Sequence, residues 1–158
     1  ITQYLRQSNK HSLTFIITCN ILCLPNWMTY FQNILELRKT YNTDRQLIWF
    51  DTPMLTDPKW MSMKLASKEM LQPLLDSIAF MEANKETVEN RFKGFKDYEI
   101  DKVQRLYDWA IEPMSKEDEI LYKKNFYKYF EQYDTRRNLN IRETFPELVH
   151  FIDDCGKL

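Results

Sequence analysis

Two nearly continuous apolar runs on either side of an amphipathic stretch constrain the fold of this chain most strongly. The first run, at residues 13–22, is rich in β-branched and aromatic residues and predicts a strand covered on both faces. The second, at 46–51, contains Leu-Ile-Trp-Phe and predicts another strand. Between them, Asn26 can cap a helix whose apolar residues recur with helical spacing. Near-continuous apolar strands are typical of parallel sheets that helices bury.

The rest of the chain has a mainly helical pattern. Residues 60–65 predict a third, shorter strand or an extended surface segment, and helices are predicted after Ser67, Asp97 and Ser115. Residues 134–140 are predicted to form a charged loop before a last short helix. This order indicates an α/β unit with right-handed crossovers, finished by packed helices. Two or three strands leave open edges, so we expect another region or a partner to complete the sheet.

Composition and charge exclude several classes of function. The chain of 158 residues has only 2 glycines, where average usage of about 7% would give roughly 11. Dinucleotide-binding and Walker phosphate loops, which need several glycines, are therefore excluded. The formal net charge of −1 gives no basic field for nucleic acid or anionic lipid, so neither is an expected partner. The apolar run at 13–25 is interrupted and shorter than the ~20 residues that span a bilayer.

The three cysteines predict reduced thiols. Cys19, Cys23 and Cys155 leave one unpaired in any scheme, which favours a cytoplasmic setting. Cys19 and Cys23 have the spacing of the first two ligands of a radical S-adenosylmethionine cluster, but Asn26 stands at the third position. Two thiolates cannot hold three irons of the cluster, so we assign no metal ligand in this chain. Both residues are interpreted as small buried apolar side chains.

Polar residues follow the predicted strands, where ligands bind in parallel sheets. Thr18 and Asn20 follow the first strand, Asp51 follows the second, and Lys64 lies near the third. If the sheet curls into a barrel, Thr18 and Asn20 face its interior, and Asp51 offers a carboxylate to a hydroxyl or amine at the adjacent rim. The alternative is structural: Asp51 caps a turn, and Asn20 satisfies backbone groups.

Two further patterns lie in the helical part. Arg136 and Arg137 can grip a carboxylate or phosphate through paired guanidinium donors, or can lie in a solvated loop and pair with Asp134 and Glu143. Six aromatic residues could stack on bases, but their helical spacing favours a packing face: Tyr122, Phe126, Tyr127, Tyr129, Phe130 and Tyr133.

Several segments together carry a resemblance to a known family. They are residues 13–27, 35–39, 49–55 (Trp-Phe-Asp-Thr-Pro-Met-Leu), 60–65 (Trp-Met-Ser-Met-Lys-Leu), 133–137 (Tyr-Asp-Thr-Arg-Arg), 143–148 (Glu-Thr-Phe-Pro-Glu-Leu) and Cys155. This pattern resembles the C-terminal part of twitch-domain radical S-adenosylmethionine proteins, which occur in phages, bacteria and marine metagenomes. The resemblance covers nearly the whole chain, and no catalytic motif lies within it.

The resemblance implies the last strands of a partial parallel β/α barrel at residues 1–66 and a helical C-terminal extension at 67–158. The cofactors of the complete protein would be S-adenosylmethionine and a four-iron four-sulfur cluster, held by a missing N-terminal half of the same polypeptide. Reduction of that cluster would generate a deoxyadenosyl radical that abstracts hydrogen from an unknown substrate. This chain alone would be inert and would hold no cofactor.

The resemblance also implies roles for individual residues. Thr18 and Asn20 would flank the cofactor, and four residues would contact substrate: Asp51, Lys64, Arg136 and Arg137. Cys155 could ligate an auxiliary cluster, although a buried thiol is the favoured interpretation. The competing hypothesis is a non-enzymatic α/β interaction module that docks a protein partner through its aromatic helices. An upstream Cys-x3-Cys-x2-Cys motif would support the enzyme.

Overall fold

Two short parallel strands form the sheet of this protein, and helices form most of the rest. A computed structural model describes residues 1–7 and 12–158. In chain order the elements are α1 (Thr2–Gln7), β1 (Leu13–Ile16), α2 (Trp27–Tyr41), β2 (Ile48–Asp51), α3 (Lys68–Ala83), α4 (Asp97–Ala110), α5 (Lys116–Arg137), α6 (Ile141–Thr144) and α7 (Val149–Gly156). Short 3₁₀ helices lie at Ile21–Asn26, Lys59–Met61, Met63–Leu65 and Pro146–Leu148.

The two faces of the sheet differ in composition and exposure. Leu13 pairs with Ile48, and Phe15 pairs with Phe50. Paired residues of parallel strands point to the same side, so these four side chains form one apolar face. The other face carries Thr14 and Ile16 of β1 and Trp49 and Asp51 of β2. Ile16 is 69% exposed despite its apolar side chain, so this second face lacks a full cover among the described residues.

Aromatic rings join the apolar face of the sheet to the helices. Phe31 of α2 lies 5.2 Å from Phe50 and 6.0 Å from Phe95, measured between ring centroids. Phe95, which comes just before α4, also contacts Phe80 of α3 at 6.2 Å. Edge-on contacts of this kind add roughly 0.5–1.5 kcal/mol each beyond the burial of apolar area. Strand β2, α2, α3 and the segment before α4 therefore share one core.

A buried ion pair crosses this core. Arg38 of α2 donates two hydrogen bonds to Glu99 of α4, at 2.9 and 2.6 Å. Arg38 also donates to the carbonyls of Ile48 and Gly94, while Glu99 accepts the backbone N–H of Lys96 at the start of α4. Arg38 and Glu99 are 3% and 2% exposed. The pair therefore fastens β2, α2 and α4 to one another.

The structure confirms most of the elements predicted from the sequence. The parallel pairing of the two strands and the helix that begins at Trp27 are as predicted. Ser67 and Ser115 cap α3 and α5, since their side chains accept the N–H groups of Met70 and Asp118. The coarse α/β class agrees with this arrangement, in which helix predominates.

Three predictions about local structure are wrong. Residues 60–65 form two 3₁₀ helices and not a strand, because Pro58 and Ser62 in extended conformation start short turns there. The first strand is shorter than predicted and is exposed on one face, since Asn20 caps a 3₁₀ helix that begins at Ile21. Residues 134–137, predicted as a loop, continue α5 until Asn138 adopts a left-handed conformation.

The predicted boundary at residue 66 lies inside a continuous core. Phe31 and Phe95 lie on opposite sides of that boundary and touch, and the buried apolar residues form one cluster. The division into 1–66 and 67–158 stays a prediction. Among the described helices, none combines the length and apolar character needed to cross a membrane.

Candidate functional site

The carboxyl end of the β1–β2 sheet brings together three of the predicted site residues. The backbone N–H of Ile17 donates to the carbonyl of Asp51, and Cys19 forms a parallel bridge with Met54. This pairing continues beyond the regular strands and holds the segments around Thr18 and Asp51 side by side. Thr18 is exposed, and Asp51 and Asn20 are half-buried. A ligand could therefore reach all three residues at this end of the sheet.

Asn20 has a structural role at this edge. Its Oδ1 accepts the N–H of Leu22 and caps the 3₁₀ helix, and its Nδ2 donates to the carbonyl of Thr18. These bonds fit the alternative that Asn20 satisfies backbone groups. The amide of Asn20 is thus fixed in place, and the hydroxyl of Thr18 is the more accessible group for a ligand. Binding of a cofactor by either residue stays a prediction.

Asp51 combines a turn contact with an ion pair. Its Oδ1 accepts the N–H of Thr52 at 2.8 Å and also binds Lys102 of α4. The hydrogen bond from Lys102 lowers the pKa of the Asp51 carboxyl below its ordinary value. The carboxylate is therefore ionised at neutral pH, beside an ammonium group. Sequence reasoning missed Lys102, because it is one of many lysines on an amphipathic helix and carries no motif.

The other predicted substrate contacts lie elsewhere. Lys64 binds Glu112 at 2.6 Å and lies over the ring of Trp109 at 5.2 Å. Trp109 is seven residues beyond Lys102 on α4, about two helical turns away. Arg136 and Arg137 are exposed in the last turn of α5, where Arg137 lies over the ring of Tyr133. The structure gives these three residues no contact with Thr18, Asn20 or Asp51.

The three cysteines are buried or half-buried thiols. Cys19 is buried and donates to the carbonyl of Ile17, and Cys23 donates to the carbonyl of Thr18. Burial raises the pKa of both thiols, and it raises the pKa of Cys155 to about 12. In the described ranges, no three His, Cys, Asp or Glu side chains are grouped so that they could hold a metal ion.

Several aromatic residues of α5 contact other rings of the protein, and among them Phe126 is buried. Phe126 contacts Phe130 at 4.7 Å and Phe151 of α7 at 5.1 Å. Tyr129 lies 4.4 Å from Trp60 with the rings tilted by 34°. These contacts support the packing interpretation, because most of the ring faces already have intramolecular partners.

The comparisons with known proteins do not identify a family for this arrangement. No protein-family model, no curated protein and no solved structure was found to match the chain.

Proposed function

We propose that this chain is the C-terminal part of a radical S-adenosylmethionine enzyme acting on an unknown substrate. In this proposal the chain supplies the last strands of a partial β/α barrel and part of the substrate site. Another part of the same polypeptide supplies the cluster ligands, because Asn26 stands where the third cysteine of the Cys-x3-Cys-x2-Cys motif would follow Cys19 and Cys23. The resemblance of the sequence motivates the family, and the half-open sheet is the single structural observation that supports it.

One edge of the sheet, the outer edge of β1, has no neighbour among the described residues. In a parallel ladder, alternate residues bond to the neighbouring strand, and the residues between them point their backbone groups outward. The backbone N–H groups of Leu13 and Ile17 donate to β2 or its flanking residues. The backbone N–H and C=O groups of Thr14 and Ile16 therefore point away from β2. Outside the β1–β2 ladder, Thr14 and Ile16 have no hydrogen bond to any other described residue. The outer edge of β1 can therefore accept another strand.

The other edge of the sheet is blocked by side chains at Ile48. The carbonyl of Ile48 accepts from Arg38, and its N–H donates to Oδ1 of Asn42. An added strand would thus lie beside β1. Helix α1 precedes β1 and buries Leu5 in the same core as α2. A strand before α1 would fall on the open edge if the connection followed the right-handed crossover rule.

The uncovered face of the sheet has the chemistry of a barrel interior at its carboxyl end. Ile16 and Asp51 are paired on that face, and Lys102 lies against Asp51. The exposed hydroxyl of Thr18 follows on the same segment. In the proposed enzyme Asp51 would orient a substrate hydroxyl or amine, and Lys102 would keep this carboxylate ionised. The remaining wall of the barrel would exclude water from the site.

The open edge predicts self-association of this chain when it is expressed alone. Two copies can satisfy their β1 edges by pairing with each other. Thr14→Pro should prevent this without breaking the β1–β2 ladder, because the N–H of Thr14 points outward. Sedimentation velocity at several concentrations should show a concentration-dependent dimer for the wild-type chain and a monomer for the variant.

Two controls make this result specific to the edge. Ile16→Lys places a charge on the open face and should also weaken the dimer, whereas Leu139→Lys changes another exposed apolar residue, just after α5, and should not. Circular dichroism checks that each variant keeps its helices. A wild-type chain that stays monomeric at high concentration would count against an incomplete barrel.

The enzyme itself is tested on the longer polypeptide. We expect the coding sequence before Ile1 to contain Cys-x3-Cys-x2-Cys, and the reconstituted product to release 5′-deoxyadenosine from S-adenosylmethionine when reduced. Asp51→Asn should lower turnover of substrate at least tenfold and leave iron content and the reduced-cluster EPR signal unchanged. Glu131→Gln, at an exposed position on α5, is the matched control. A start codon directly before Ile1 would refute the proposal and favour the interaction module.

A further inference from the structure

A cleft lies where the helical part meets the segment before α2. Its volume is about 540 Å³. Buried apolar side chains form its floor: Leu24, Leu65, Leu148 and Phe151. Met70 and Pro73 of α3 are half-buried at its side. A cavity of this size and lining can receive one or two apolar side chains of a ligand.

The rim of the cleft carries an excess of unpaired negative charge. Three carboxylates line it, those of Glu69, Glu147 and Asp154, together with Lys123 and His150. Lys123 is engaged by Glu119, and Asp154 is engaged by Lys157. Glu69 and Glu147 have no ion-pair partner among the described residues. The two free carboxylates therefore set the charge that the cleft presents to a ligand.

Both free carboxylates come from elements that also line the cleft. Glu69 lies in the first turn of α3, where the Ser67 side chain holds the pKa of its carboxyl below the ordinary value. Glu147 lies in the 3₁₀ helix whose next residue, Leu148, is part of the floor. Two negative groups from separate elements thus flank one apolar depression. Such a rim attracts cationic groups and disfavours anionic ones.

We propose that this cleft binds a peptide segment of a partner protein in which an apolar side chain is flanked by lysine or arginine. The apolar side chain would lie on Leu65, Leu148 and Phe151, and the flanking cations would reach Glu69 and Glu147. A peptide fits both features, because in an extended Lys-Leu-Phe-Lys segment the two cations lie three residues, or about 10 Å, apart on either side of two apolar side chains. This partner site is separate from the carboxyl end of the sheet and does not depend on the proposed enzyme.

The test uses a defined probe, the peptide acetyl-Ser-Lys-Leu-Phe-Lys-Ser-amide. Titration into the ¹⁵N-labelled chain should shift the amide signals of residues 65–73 and 147–154 and give a saturable dissociation constant. The same peptide with glutamate in place of both lysines should bind at least tenfold more weakly. Raising the salt concentration to 0.5 M should weaken the basic peptide, since exposed ion pairs are screened.

Variants of the chain separate the rim from the rest of the surface. Glu69→Gln combined with Glu147→Gln should weaken the basic peptide at least tenfold, while Glu131→Gln should change its affinity less than twofold. The substituted positions are exposed, so the fold is expected to persist.

Several results would overturn the proposal. Equal binding of the acidic and basic peptides would exclude recognition of charge by the rim, and an unaffected double variant would place the site elsewhere. Shifts of the same cleft signals on concentrating the chain without peptide would identify a second copy as the occupant. Phenethylammonium binding as tightly as the peptide would identify a small organic cation instead.

Discussion

Replacing Arg38 with methionine is expected to destabilise the fold by about 3–5 kcal/mol, because the substitution leaves the carboxylate of Glu99 buried without its partner. The methionine side chain fills similar space, so the loss is mainly electrostatic. Two backbone carbonyls also lose a donor, those of Ile48 on β2 and Gly94 before α4. Buried acceptors without a partner add to the cost. Urea unfolding followed by circular dichroism measures the change in the free energy of unfolding.

The matched control is an ion pair on the surface of the same helix. Lys39 binds Glu36 at 2.9 Å, with both side chains half-exposed or more. Lys39→Met should therefore cost less than about 1 kcal/mol. The double variant Arg38→Met with Glu99→Leu should recover part of the lost stability, since no charge is left buried. A single Arg38 variant as stable as the Lys39 variant would show that the buried pair does not have this role.

Gly94→Ala is expected to cost roughly 1–3 kcal/mol, the range for forcing extra atoms into a packed interior. A Cβ at residue 94 would lie 2.5 Å from the backbone nitrogen of Glu86 and 2.7 Å from its Cα. These are backbone atoms, and they are held in place because the N–H of Glu86 donates to the carbonyl of Phe95 at 2.8 Å. The clash can be relieved only by moving a chain segment that also carries the acceptor for Arg38.

Gly156 provides the control for this substitution. A Cβ there would approach the ring of Tyr127 at 2.8 Å, but that ring belongs to a half-buried side chain that can turn away. Alanine also favours the helical conformation of α7 by about 0.5–1 kcal/mol relative to glycine. We expect Gly156→Ala to stay within about 1 kcal/mol of wild type in thermal and urea unfolding. Equal losses for the two variants would contradict the close approach at Gly94.

The elements that sequence predicted well are those set by local patterns. The helices after Ser67 and Ser115 follow from a cap residue and an apolar period, both of which are visible within a few positions. The helix after Asn26 follows from its apolar period, since the Asn26 side chain makes no capping hydrogen bond. The third strand failed for a related reason. Trp60 favours a strand, but Met63 and Leu65 bury their side chains from a 3₁₀ helix, and the sheet of the described residues has two strands only.

The partners of the buried and functional groups could not be predicted in the same way. Arg38 and Glu99 are separated by 61 residues, and each looks like an ordinary charged residue on an amphipathic helix. Asp51 could be selected because it ends a strand, but its counter-ion Lys102 comes from a distant helix. Lys64 was selected by its place after a strand that does not form. The partners of these residues are determined by long-range packing, which leaves no periodic pattern in the sequence.

The blocked outer side of β2 limits what this protein can build through its sheet. Arg38 and Asn42 form hydrogen bonds with the backbone groups of Ile48 that an added strand would need. A subunit with two free sheet edges can add further subunits at both ends and form a fibril. A subunit with a single free edge stops growing once that edge has paired with another strand. Pairing through β1 should therefore favour a closed twofold assembly over a fibril.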